Sequence, residues 1–79
     1  MAKHLYVAKI ETETSEGRGI YYVADEGFKI TAEKLRATWV RSKRLAEEMG
    51  RFQVRVQNDA ARELGWPEDT VFAGIEQVA

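Results

Sequence analysis

Few side chains in this sequence are suited to chemistry. Acyl transfer by a hydroxyl needs a nucleophile, a base within hydrogen-bond reach and a group that orients the base. His4 is the only histidine and Ser15 and Ser42 are the only serines, and neither serine sits in a nucleophile-elbow context. Two carboxyls at a set separation are what glycoside hydrolysis requires, and Asp25, Glu26, Asp59, Glu68 and Asp69 could supply a pair. Each is better explained by a turn or a helix cap, and 79 residues leave little room for a substrate cleft. One histidine and no cysteine exclude zinc-finger spacing and thiol catalysis, and Asp25-Glu26-Gly27 lacks the alternating oxygen ligands of a calcium loop. Glu16-Gly17-Arg18-Gly19 has two glycines but neither the lysine nor the following helix of a phosphate loop. The expectation is a protein that is not an enzyme and uses no metal or cofactor.

Charge is more informative. The chain has a net charge of −1, yet between residues 29 and 55 eight basic residues (Lys29, Lys34, Arg36, Arg41, Lys43, Arg44, Arg51, Arg55) face three acidic ones (Glu33, Glu47, Glu48). That leaves a basic middle between acidic ends, which can steer a partner of opposite sign or let parts of one fold attract each other. Arg36, Arg41, Lys43, Arg44, Arg51 and Arg55 are the candidate partner-binding residues. Part of their charge is expected to be neutralised locally, Lys43 by Glu47 and Arg44 by Glu48 at i,i+4. A nucleic-acid surface would add exposed stacking aromatics and a basic chain overall, and core packing accounts for Tyr21, Tyr22 and Phe28. A protein partner is therefore the leading expectation, with nucleic acid contacted through the same residues as the alternative. Oligomerisation through an exposed strand edge is a third.

The elements that must position these residues follow from periodicity. A length of 79 residues allows one domain with a small core, and 44% apolar with 32% charged residues fits a folded chain rather than a disordered one. Residues 3–13 read as a strand with Tyr6, Ala8 and Ile10 on one face and Leu5, Val7 and Lys9 on the other. Residues 12–19 read as a hairpin connection of more than minimal length. Ile20 to Ala24 suits the best-buried central strand, Asp25-Glu26-Gly27 a tight turn, and Phe28 to Ile30 a short third strand with Phe28 and Ile30 on one face.

The preferred reading of residues 31–50 is one amphipathic helix. Thr31 caps it, Leu35, Trp39, Ser42, Ala46 and Met49 form its stripe, and Gly50 ends it. The competing reading makes Thr38-Trp39-Val40 a short strand and starts the helix at Ser42. Phe52 to Gln57 alternates apolar and polar and reads as a strand that carries Arg55 on its wet face. Asn58 or Asp59 would cap a short turn ended by Gly65, and Pro67 prevents its continuation. Residues 70–78 read as a last strand, with Val71, Ala73 and Ile75 on one face and Phe72 and Val78 on the other. Trp39 is expected in the core, while Trp66 could cap the core or stand exposed as an anchor. The fold class expected is α+β in two layers, a mostly antiparallel four- to five-stranded sheet with one main helix on one face.

A hairpin, then GFKIT, then a helix carrying SKRLAEEMG, then the alternating FQVRVQ resembles the small β-β-α-β proteins common in bacteriophages and prophages, some of which are anti-CRISPR proteins. The resemblance covers residues 5–57 and leaves out 58–79. It implies a compact inhibitor that binds and blocks a host macromolecule, such as a CRISPR-Cas defence complex, without chemistry of its own. No apolar run approaches a membrane span, so a cytoplasmic protein is expected, in the host cytoplasm if phage-encoded.

Overall fold

In the computed structural model, which describes residues 4–79, strand β1 (Tyr6–Thr14) runs through the centre of the molecule. The chain continues as β2 (Gly17–Ala24), β3 (Lys29–Thr31), a single long helix α1 (Lys43–Glu63) and β4 (Val71–Gln77). The strands form one antiparallel sheet in the order β3-β2-β1-β4, and α1 packs across one of its faces. This is the two-layer α+β architecture with one main helix. Lys3, where the first strand was expected to begin, lies outside the described residues.

The alternation of β1 builds the core. Tyr6, Ala8 and Ile10 face α1 and meet Val23, Ala46 and Met49. Thr12 continues that face and shares a 2.6 Å hydrogen bond with Thr70, so the polar end of the strand is satisfied where it is buried. Val7, on the opposite face, is also fully buried. Each fully buried aliphatic side chain of this kind contributes about 1.5–3 kcal/mol. β1 is the best-buried strand, in place of the expected Ile20 to Ala24, because it alone has long strands on both sides. Ile20 stands opposite Glu11, on the face away from the helix, and is 48% exposed. The hairpin is also tighter than expected. Thr14 pairs with Gly17, leaving only Ser15 and Glu16 in the turn, and Gly17 closes it at φ +106°.

The expected helix over residues 31–50 does not form. β3 runs to Thr31, a single 3₁₀ turn covers Lys34–Arg36, and Val40 bridges to Tyr6 through two backbone hydrogen bonds of 2.8 and 2.9 Å. Val40 takes the place beside Tyr6 that β2 vacates when it ends at Ala24. Thr31 does accept a bond from the Glu33 amide, but as a local turn with no helix behind it. Ser42 is the true cap, its hydroxyl accepting from the Leu45 amide at 3.2 Å. Of the expected stripe only Ala46 and Met49 reach the core, while Leu35 is 85% exposed and Trp39 is half-exposed with its indole N–H donating to the Lys34 carbonyl. The third strand is shifted by one residue. Ile30 faces the core beside Val23, whereas Phe28 lies outside the strand with its ring 5.4 Å from that of Phe52.

Residues 52–57, expected as a strand, are helical, and Gly50 ends nothing. Gly50 is buried inside α1, where the ring of Phe72 rests against it. The end expected at Gly65 is present at the terminus of this longer helix. Gly65 adopts φ +72°, its amide donates to the Arg62 carbonyl and that of Trp66 to the Ala61 carbonyl, a Schellman arrangement that satisfies the last carbonyls. In β4, Lys9 pairs with Gly74 and Ile10 with Phe72, so Ala73 is an extra residue in a bulge with Gly74 at φ +105°. The bulge resets the alternation. Phe72 and Ile75, expected on opposite faces, both pack on the core, and Val71 is half-exposed. No described helix is long and apolar enough to cross a membrane.

Candidate interaction surface

The single long helix rearranges the six basic residues singled out by sequence. With 100° per residue, Arg44, Arg51, Arg55 and Arg62 fall within about 40° of one another and form a ridge about 27 Å long on the outer side of α1. Arg55 was expected on a separate strand, and Arg62 was not a candidate. The remaining candidates are elsewhere. Arg36 lies on the 3₁₀ turn and is ion-paired with Glu33, Arg41 precedes the cap, and Lys43 opens α1 with its ammonium 5.7 Å from the Tyr6 ring centroid.

Much of the ridge is neutralised by the helix itself. Arg44 pairs with Glu48 as expected, but Glu47 pairs with Arg51 rather than Lys43, both at 3.3 Å. The observed order, Glu47 before Arg51, is the favourable orientation along a helix. Arg62 binds Asp59 and Glu68; its hydrogen bond to Glu68 raises the guanidinium pKa and holds the Glu68 carboxyl below its usual range. Arg55 makes no ion pair among the described residues, and neither do Arg41 and Lys43.

Two neighbours make the middle of the ridge distinctive. Arg51 lays its guanidinium 4.9 Å from the ring centroid of Phe72, which fixes a long side chain against β4. Beside it, Arg51, Val54, Arg55, Thr70, Val71 and Phe72 line an open cleft between α1 and β4. β4 is an edge strand, so half of its backbone groups turn away from β1. At Thr70 those groups are occupied. Asn58 accepts from the Thr70 amide at 3.0 Å and donates to its carbonyl at 3.1 Å, so its side-chain amide bonds as a neighbouring strand would. From Phe72 to Glu76 no side chain does the same among the described residues.

A second concavity of about 410 Å³ lies between the hairpin tip and the chain that follows α1. It is lined by Thr12, Gln57, Ala61, Leu64 and Trp66, with the carboxylates of Glu13 and Asp69 among its walls. Trp66 is 65% exposed there, which settles it as a surface residue. On the open face of the sheet Lys34 hydrogen-bonds Glu76, raising the lysine pKa and lowering that of the carboxyl, and Arg18 joins Glu11 to Asp69.

Comparison with known proteins finds no matching family model, no curated relative and no similar solved structure.

Proposed function

We propose that this chain is a small non-enzymatic interaction module that binds and blocks a protein partner through the basic surface where α1 meets β4. The observation that carries the reading is the placement of Arg51 and Arg55, one turn apart, along the α1 wall of the cleft that faces β4, with Arg55 free of any internal carboxylate among the described residues. A partner presenting carboxylates would gain charge-assisted hydrogen bonds there without first breaking an ion pair at Arg55. The resemblance to small phage and prophage proteins extends this reading to a host target, an anti-CRISPR role among them. The stretch FQVRVQ, which completed that resemblance, lies in α1.

Nucleic acid is the second reading, because a ridge of arginines about 27 Å long can follow a phosphate backbone. Against it, Glu47, Glu48, Asp59 and Glu68 occupy three of the four arginines. Fluorescence polarisation separates the two. Labelled oligo-glutamate, duplex DNA and single-stranded DNA are titrated at two salt concentrations with the wild-type protein and with R51E/R55E. Binding of oligo-glutamate that is lost in the double variant supports the protein-partner reading. Binding of DNA alone, with a steep salt slope, replaces it with the second.

A further inference from the structure

The partner's conformation is legible in the same cleft, and the inference rests on the protein-binding reading above. We propose that β4 takes an extended acidic segment of the partner as a fifth strand, its carboxylates set alternately against Arg51 and Arg55. Three features of the edge carry this. First, β4 spans Val71–Gln77 and contains no lysine or proline, two of the residues by which edge strands commonly block pairing; its bulge at Ala73 and Gly74 is the one irregularity an added strand must follow, whereas the opposite edge, β3, has only three residues. Second, Asn58 already makes the two backbone bonds of a neighbouring strand at Thr70, which marks the line an added strand would follow and closes its far end. A strand entering beside Phe72 therefore meets bare N–H and C=O groups. Third, charge selects the occupant. Alternate side chains of an added strand point toward the α1 side, where Arg51 and Arg55 stand four residues, about 6 Å, apart along the helix. That spacing matches the roughly 6.6–6.8 Å between residues i and i+2 of a strand. Carboxylates at i and i+2 thus reach both arginines, and the residues between them face the open side near Val71.

The test uses the full chain and a labelled eight-residue peptide of alternating glutamate and threonine. The same peptide with N-methyl groups on alternate backbone amides retains its charge but cannot form the ladder. The unmodified peptide is expected to bind, with new hydrogen-exchange protection at the amides of β4, and the N-methylated form to bind more than about tenfold more weakly. An alternating lysine and threonine peptide should bind R51E/R55E but not the wild type. Equal binding of both glutamate peptides would overturn strand addition while leaving a basic docking surface in place. Failure of oligo-glutamate and of both peptides would overturn the inference together with the reading on which it rests. Light scattering that shows the protein alone as a dimer with β4 protected would assign the edge to a second copy and also overturn the proposal.

Discussion

The ring of Phe72 fills the space that a side chain on Gly50 would need. A methyl group built on Gly50 would stand 2.8 Å from Cδ1 of Phe72 and closer still to Cε1, with the Ala8 methyl 3.1 Å away. The glycine lets α1 approach β1 and β4 closely enough for Phe72 to lie between them. Replacing glycine by alanine inside a helix favours folding by about 0.8–1.0 kcal/mol through propensity alone. Here the overlap with a ring held in the core should outweigh that gain, since overpacking costs roughly 1–3 kcal/mol. Gly50→Ala is therefore expected to lower stability in denaturant melts, and Phe72→Leu in the same chain to recover part of the loss. A stabilised Gly50→Ala would show that the helix sits farther from the sheet.

The start of α1 gives a second test. Ser42 holds the Leu45 amide, whereas Thr31 serves only a local turn. Ser42→Ala should cost about 1 kcal/mol. Thr31→Ala should cost less and leave the helical signal in circular dichroism unchanged. The reverse order would restore the helix over residues 31–50.

Much of the fold is legible in the sequence, and the failures have physical causes. β1 shows its inward face as Tyr6, Ala8 and Ile10, and Gly65 marks the end of a helix because only a left-handed residue closes it. Residues 50–57 mislead because two signals there have double meanings. Gly50 has the composition of a stop but is a point of close approach, and Phe52, Val54 and Val56 alternate as a strand would. In α1, Phe52 turns to Phe28, Val54 to the core near β4, and Gln53 inward, so a buried glutamine interrupts the apolar stripe that would reveal the helical period. The arginine ridge depends on that helix continuing past Gly50. Arg55 is a candidate from charge alone, whereas its alignment with Arg51 and Arg62 requires the fold.

Gln53 is itself a weak point of the core. It is 1% exposed, and its Oε1 has no hydrogen-bond partner among the described residues. An unsatisfied buried polar group costs about 1–3 kcal/mol. Gln53→Met, similar in length and without that demand, is expected to raise the denaturation midpoint with an unchanged slope. A lower midpoint would mean that the amide is satisfied in solution.

Acid should weaken the fold partly through Glu76. Its hydrogen bond to Lys34, aided by the charges of Lys34 and Lys9, lowers its pKa in the folded state. A carboxyl whose folded value lies below its unfolded one contributes stability above the unfolded value and loses it as pH falls through the folded value. Stability of the wild type and of Glu76→Gln, measured from neutral pH to below the carboxylate range, should differ at neutral pH and converge in acid. Parallel curves would remove Glu76 from the acid response.

On the proposed reading, the partner surface lies where α1 meets β4. Titrating isotope-labelled protein with oligo-glutamate and recording which backbone amides shift by NMR tests that placement. Changes are expected to concentrate at Arg51 to Arg55 and Phe72 to Glu76, and to vanish in R51E/R55E. Changes centred on Trp66 and Leu64, or none at peptide concentrations that saturate any other site, would contradict it.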